Sequence, residues 1–478
     1  MGAAALLLGS GLLTIPARIV QLEQERSLGS GTLASLLASR DEKIAARAAL
    51  ALGRTKKPGA ATLLATHVAD PRDAVRAMSV YGLGVISLGT DALPITKLAE
   101  RDPSGAVRVA ALDALGRYEA AKNLGSRESG AAASIAFAMA SDADPIVRGR
   151  AAISLSFFAD GPAARASLAA LMRAMRADRS DAVRERIMWT VFRRYAAAAP
   201  LEFLNTYLHD RDEVVRIEAV RAYGKLHDAH LAAVLRPLRT DPSWRVAEQA
   251  GESIRLLEGE KPTDHLTSIP HNVRTPSPQA DPLAGLPAIT SPAPSKPAAP
   301  NSSEAIFQPQ IDPHTARDMT GPAPGPHPRV RIVTTKGNVY LVLYPEWAPV
   351  TTLNFLNLAR NGFFSNNPWF RIVPDFVVQT GEQDAKNSPG PGYTIRAEEN
   401  PLEQNSGVLS MGLNYDQKTN TPLRDSAGSE YYVTLSPQYH LDNDFTVFGS
   451  VSSGFSVLGR LVESDKVVRI ERIADVTL

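Results

Sequence analysis

The stretch Trp369 to Glu382, WFRIVPDFVVQTGE, holds a single cation, Arg371, beside Phe370, Phe376, Val377 and Val378, with Gln379 further along. Successive side chains of a strand point to opposite faces. Arg371 therefore shares its face with Val373, and a reset of parity at Pro374-Asp375 brings Gln379 near it. A guanidinium among apolar side chains is costly unless something needs its donors. Two readings stand on this stretch alone: an edge-strand arginine that snorkels to solvent, or a donor held over an apolar surface. Other chemistries drop out. The chain has no cysteine, which removes disulfides, thiol catalysis and thiolate metal sites, and its nine histidines show no HExxH-like spacing, so no metal site is expected.

The elements that would hold this arginine lie on both sides of it. Alternating runs from Arg329 to Pro345 around Lys336-Gly337-Asn338 read as a β-hairpin. Helices are expected at Val350 to Asn361 and Phe455 to Ser464, among short strands. With APVTTLNFLNLARNGFF (Ala348 to Phe364), GVLSMG (Gly407 to Gly412) and GSEYYVTLSPQYHLDNDFTVFGSV (Gly428 to Val451), the order of blocks over 329–478 resembles the cyclophilins, the family of peptidyl-prolyl cis-trans isomerases. The resemblance implies a mainly-β closed antiparallel barrel with two helices at its ends. It also implies an isomerase that uses no cofactor and acts on proline-containing peptides and unfolded proteins.

Turning an X-Pro amide costs about 18–20 kcal/mol because resonance is lost. A site lowers this by binding the twisted amide better than either planar form. It needs an apolar slot for the proline ring and a donor aimed at the nitrogen or carbonyl. By the resemblance Arg371 is the catalytic arginine and Gln379 positions it and the substrate, while Phe376, Val377, Met411, Tyr432 and Leu441 form the apolar lining. Phe370, Gly412, Glu430, His440 and Phe445 complete the substrate-binding set. Several of these depart from the family pattern. Phe370 replaces a His, Glu430 a Gln, Leu413 an Asn, Phe445 a His or Tyr, and His440 a Trp, which implies poor cyclosporin affinity. The loop LNYDQKTNTPLRDSAG (413–428) is longer than usual. A carboxylate of Glu430 within ~4–6 Å of Arg371 would occupy the donors that catalysis needs. The alternative is thus a weak or inactive peptide-binding module.

A chain of 478 residues exceeds one core, and 51 Lys and Arg against 50 Asp and Glu leave a net charge of +1, with no whole-chain field for nucleic acid or anionic membrane. From 17 to 258 a pattern Asp-x-x-[Val/Ile]-Arg-x-x-Ala-x-x-x-Leu-Gly recurs, with apolar anchors at Ile44, Val75, Val107, Val147, Val183, Val215 and Trp244. Nine residues after each anchor stands a small residue (Gly53, Gly84, Gly116, Ser156, Gly224, Ser253), with Phe192 the exception. Amphipathic helices with small contact residues stack in pairs into an all-α solenoid. Asp-Pro pairs at Asp70, Asp102, Asp144 and Asp241 are expected to cap the second helix of each pair. The pattern resembles HEAT repeats, which implies a surface that binds a protein partner. It also implies ties between repeats through the aspartates and Arg76, Arg108, Arg148, Arg184, Arg216 and Arg245. An arginine ladder for acidic partners is the other reading.

From 259 to 328 the helical period ends, and Pro262 to Pro328 carries 16 of the chain's 35 prolines, the composition of a tether. Residues 1–16 are almost wholly small or apolar, which suits a signal or anchoring segment or the buried start of the next helix. An extracytoplasmic setting is favoured over a cytoplasmic one, with the membrane reached at most through this segment.

Overall fold

The structure, a computed structural model, describes residues 17–88, 92–260, 327–382, 390–416, 418–419 and 421–476. The apolar segment 1–16 and nearly all of the proline-rich stretch 259–328 lie outside the described residues. The chain divides into two compact units, which over the described residues comprise 25–260 and 327–476, the helix Ala17–Gln24 being counted with the latter. Among the described residues no helix is long and apolar enough to cross a membrane.

The first unit is built of helix pairs. The second members, Glu42–Thr55, Asp73–Ile86, Gly105–Ala120, Pro145–Ser154, Asp181–Thr190, Glu213–Gly224 and Trp244–Leu257, each pack on the next. Val75, Val107, Val147, Val183 and Val215 are buried near their starts. Further along, Gly53 faces Gly82, Gly84 faces Ala114 and Gly224 faces Ser253, so closely that a Cβ on the first residue would meet the neighbour at 2.5–2.9 Å. The small residues thus set the axial approach of successive helices.

One anchor falls elsewhere. Trp244 is exposed, and Val246, five residues after Asp241, is buried instead. The five preceding anchors stand at the same distance from Asp70, Asp102, Asp142, Asp178 and Asp210. Reading the anchor at Trp244 slips the register by two residues, and Ser253 then belongs to the opposing side of the small-residue contact.

A ladder of ion pairs ties the repeats together. Arg76, Arg108, Arg148, Arg184 and Arg216 donate to Asp102, Asp142, Asp178, Asp210 and Asp241 of the following loop at 2.6–3.1 Å. Arg76, Arg108, Arg148 and Arg216 also donate Nη1 to a carbonyl of their own loop at 2.7–2.9 Å. Each rung aspartate accepts the amide two residues on. Arg245 departs from this scheme because it follows the displaced Trp244, and it donates to Glu213 at 3.0 Å. Asp70 is held by Arg72 at 2.9 Å, since the first anchor Ile44 is followed by Ala45 and not by an arginine. Of the four Asp-Pro pairs only Asp144 caps its helix, accepting from Ile146 N at 2.8 Å, with Pro145 in the first turn. Asp102 and Asp241 are taken up by the ladder, and Asp70 by Arg72.

The second unit carries an eight-stranded antiparallel sheet. Its strands are β1 (His327–Thr334), β2 (Gly337–Leu343), β3 (Arg371–Val373), β4 (Val377–Thr380), β5 (Val408–Met411), β6 (Tyr431–Thr434), β7 (Val447–Ser453) and β8 (Val467–Val476). They run in the order β3-β4-β6-β5-β7-β2-β1-β8. The chain before β3 bridges to the chain before β8 at Pro368 and Lys466, with Trp369 N donating to Asp465 O at 3.1 Å, and this closes the sheet. The β1–β2 turn is Thr335-Lys336, one residue earlier than the sequence suggests, and Gly337 opens β2 with φ 136°. The helix Pro349–Arg360 lays Phe355 on Phe364, Tyr431 and Phe448 at 5.2–5.3 Å between ring centroids. Its first turn is capped by Glu398, which accepts from Val350 N and Thr351 N at 3.2 and 2.9 Å. The second helix is a single turn, Phe455–Leu458, and not the longer one expected to Ser464.

The ladder makes the repeats sensitive to acid. Arg72 hydrogen bonds bring Asp70 down to about 2 against the effect of burial. Burial raises the Asp178 carboxyl, but the Arg148 bond and the Ser180 amide outweigh it and the group sits below its ordinary value. Both groups have a lower pKa folded than unfolded, so the stability they contribute is complete above about pH 4 and disappears as pH falls towards 2. Helical ellipticity of the full chain is expected to fall over that window. Asp178→Ala, which leaves Arg148 without its partner, should cost about 1–3 kcal/mol, read as a lower urea midpoint for the helical signal.

Candidate active site

β3 and β4 form a hairpin whose register places Arg371 opposite Gln379, Ile372 opposite Val378 and Val373 opposite Val377. The bend is made by Asp375, at φ 49°, and by Phe376 N donating to Val373 O at 3.1 Å. Gln438 Nε2 and Ser436 Oγ both donate to the Asp375 carbonyl and hold the bend in place. Arg371 and Gln379 are therefore cross-strand neighbours, which alternation along one strand only hinted at. Arg371 Nη1 donates to Gln379 Oε1 at 3.3 Å, and its guanidinium lies over the Phe376 ring, 5.2 Å from the centroid. The arginine is otherwise exposed.

Gln379 in turn donates through Nε2 to Glu430 Oε1. The feared contact between Glu430 and Arg371 thus runs through Gln379, and no ion pair joins the two among the described residues. Glu430 precedes β6, whose Tyr432 pairs with Gln379 and with Ser410 of β5. Two glycines make room for it. A Cβ on Gly412 would lie 2.9–3.1 Å from the Glu430 side chain, and one on Gly381 would lie 2.8 Å from its Cα. Burial pushes the Glu430 carboxyl up to about 7, with Glu382 adding to the rise, while Gln379 and Arg371 oppose it. Burial also raises Glu382.

Apolar side chains extend from the arginine. Phe376 stacks on His440 at 5.9 Å and 15°, both half-buried. Tyr432 meets Phe445 edge to face at 5.8 Å, and both are buried, as are Leu441 and Val377. Aromatic pairs at such distances give a rigid apolar floor and wall. Phe370 sits just before β3 and is half-buried. Met411 is the exception within the expected lining. Its cross-strand partner is Tyr431, which packs on Phe355, Phe364 and Trp369 inside the barrel, so Met411 faces inward and away from Arg371. Gly412, one residue further, is the one that borders the site.

The long loop contributes a residue that no motif or spacing singles out. Tyr415 bridges to Pro422, and Asp416 Oδ1 accepts from Lys418 N and Thr419 N at 2.9 Å, which tightens the turn between them. Burial raises the Tyr415 phenol while Arg371 lowers it and Asp444 and Glu430 raise it, so the ring lies within electrostatic reach of the guanidinium. Glu382, the second carboxylate beside Glu430, was likewise not foreseen. A lone acid at the end of a motif has no period to mark it.

The family described as cyclophilin type peptidyl-prolyl cis-trans isomerase matches residues 329–477, and HEAT repeats match residues 92–191 and 168–255. Peptidyl-prolyl cis-trans isomerase B of Bacillus subtilis is 38% identical over 133 residues, which cover 27% of this chain and 87% of that protein. A peptidyl-prolyl cis-trans isomerase of Helicobacter pylori is 34% identical over 138 residues, covering 28% of this chain and 80% of its own. A solved cyclophilin-type isomerase of Cryptosporidium parvum aligns with 31% of this chain and 99% of its own at 20% identity and a TM-score of 0.28. Through residues 329–477 the chain belongs to the cyclophilin-type peptidyl-prolyl cis-trans isomerases, carried here on the same polypeptide as HEAT repeats.

Proposed function

We propose that this chain assists protein folding by turning X-Pro bonds in clients that its HEAT repeats recruit, with Arg371 as the catalytic donor. The supporting observation is the way the guanidinium is held. One N–H is committed to Gln379 and the planar group rests on Phe376, which leaves the remaining donors of its fork facing solvent beside the apolar surface. A proline ring set against Phe376, Tyr432, Leu441 and Phe445 would bring its amide nitrogen under those donors. As resonance is lost the nitrogen becomes a better acceptor, so the bond strengthens only in the twisted form. Gln379 acts as the positioning residue, since its two ends are fixed by Arg371 and Glu430. His440 and Tyr415 stand at the rim, where residues flanking the proline would pass. The silent-module alternative has Glu430 and the 413–428 loop silence turnover, and the intervening Gln379 argues against the first of these.

A protease-coupled assay on a prolyl peptide with the full chain tests this reading. Arg371→Ala should lower kcat/KM by about 100-fold or more, and equal rates in the two proteins would remove the catalytic claim. Glu430 gains its charge as pH rises through about 7, and the charged form draws Arg371 towards Gln379 in competition with substrate. Glu430→Gln keeps an acceptor for Gln379 without the charge. Its kcat/KM should match the wild type below pH 6 and exceed it by about 2- to 5-fold above pH 8, with the inflection of the wild-type profile near 7 absent from the variant.

A further inference from the structure

The one break in the small-residue pattern lies at the fifth repeat. Where its neighbours carry Ser156 and Gly224, this repeat carries Phe192. A phenyl ring cannot enter a contact where even a Cβ would be crowded. The helix Asp181–Thr190 here runs into a π-helical turn, Val191–Tyr195, a rare distortion that is frequent at functional sites. The Phe192 ring is met by two cations of the next helix pair, with Arg221 Cζ and Lys225 Nζ each 4.7 Å from its centroid.

Two more cations follow Phe192 directly. Arg194 pairs with Asp160, Arg221 pairs with Glu218 at 3.1 Å, and Lys225 Nζ donates to the Arg193 carbonyl at 3.1 Å. The Arg193 guanidinium, half-buried, makes no hydrogen bond or ion pair among the described residues. Four cations thus converge with two carboxylates, Glu218 and Asp160. Cations near helix C-termini are favoured by the helix dipole, which accounts for Lys225 over a carbonyl at the end of the π-helical turn. It does not account for a partly desolvated Arg193 facing three like charges. Burial and then Arg221 and Arg194 hold Arg193 below its usual value, and burial followed by Arg193, Arg221 and Arg194 brings Lys225 down to about 8. Elsewhere in the repeats the ladder arginines spend their forks on aspartates.

We propose that Arg193, Arg194, Arg221 and Lys225, grouped around Phe192, form a docking point for an acidic segment of a partner polypeptide. A planar guanidinium without a partner matches a carboxylate with two parallel hydrogen bonds. Arg194 and Lys225 are exposed on either side of it, an open row suited to a passing chain and not an enclosure for a small ion. The inference deepens the reading of the HEAT repeats as a recruiting surface, and isomerase activity towards a short peptide is a separate readout on which it does not depend.

The test is calorimetric titration of the full chain with hexaglutamate, hexaglutamine and inorganic phosphate at pH 8. Hexaglutamate should bind saturably and hexaglutamine should not. Arg193→Gln breaks no internal bond, so the fold should survive, and with Lys225→Gln it should weaken binding at least 10-fold. Arg101→Gln, at an exposed arginine of another repeat, should leave binding unchanged. A carboxylate beside Lys225 would restore its proton, so binding should take up protons, seen as a heat that varies with the ionisation enthalpy of the buffer. Hexaglutamate affinity insensitive to Arg193→Gln, equal losses in Arg101→Gln, or phosphate binding as tightly as the peptide would each overturn the proposal. In all these variants the rate on a short prolyl peptide should equal the wild type. A loss of docking with that rate intact separates this site from the catalytic one.

Discussion

The Glu430 carboxyl has given up most of its water, and the site around Arg371 is arranged by what it finds in place of that water. Among the described residues it has no cation of its own within contact, and a second carboxylate, Glu382, lies nearby. Its available partner is the amide of Gln379, and an amide has two ends. When Nε2 turns to Glu430, Oε1 must turn to Arg371. The buried acid therefore fixes the orientation of the glutamine, and the glutamine fixes the arginine. Room for this chain of contacts comes from absent atoms. Gly381 and Gly412 leave the space where a β-carbon would strike the Glu430 residue, and Gly381, at φ 113°, also adopts a backbone conformation that other residues rarely reach.

The same pair of chemical groups is used to opposite ends in the two units. In the repeats each rung joins arginine directly to aspartate, and most arginines add a bond to a carbonyl of their own loop, so nearly every donor is consumed. Such an arginine has nothing left to offer a ligand and serves to hold loops in step. In the barrel the carboxylate is kept one residue away, and the arginine retains donors. Whether a guanidinium is structural or available is thus decided by the count of its committed N–H groups, and burial alone does not decide it. Arg193 falls on the available side of that division, which sets it apart from the ladder arginines of the same solenoid.

Much of this was legible in the sequence because periodic features average over many residues. The recurrence of anchors and the order of barrel blocks survive local irregularities, so the two architectures could be read before any coordinates. Single positions fared less well where two elements compete for one residue. Trp244 looked like an anchor since an arginine follows it, but the rung aspartate Asp241 counts to Val246. Asp70, Asp102 and Asp241 looked like caps since proline follows them, yet an arginine (Arg72 of its own loop for Asp70, the arginine of the preceding repeat for Asp102 and Asp241) offers two charged donors against the single amide of a cap. Met411 belongs to a motif that lines the site, but a strand shows alternate residues to opposite faces and the register gives Met411 to the core. The Gln379 bridge was invisible for another reason. It depends on which side-chain atoms meet across three strands, and no spacing within one strand encodes that.

A net charge of +1 over 478 residues gives no field at long range, yet the two units each hold a place where charge is poorly balanced. In the barrel Glu430 and Glu382 share one partly dry neighbourhood, and burial raises both. In the solenoid four cations gather at the π-helical turn, where burial and then the neighbouring arginines hold Arg193 and Lys225 below their usual values. Imbalance of this kind lowers stability, because folding brings like charges together that the unfolded chain keeps apart. It persists where something other than stability makes use of it. For Glu430 that use is visible in the structure, since an acid with a cation of its own would have no reason to hold Gln379. For the cationic cluster the missing counter-charge is best supplied from outside the chain: Glu218 and Asp160 answer Arg221 and Arg194, and among the described residues Arg193 has no carboxylate of its own.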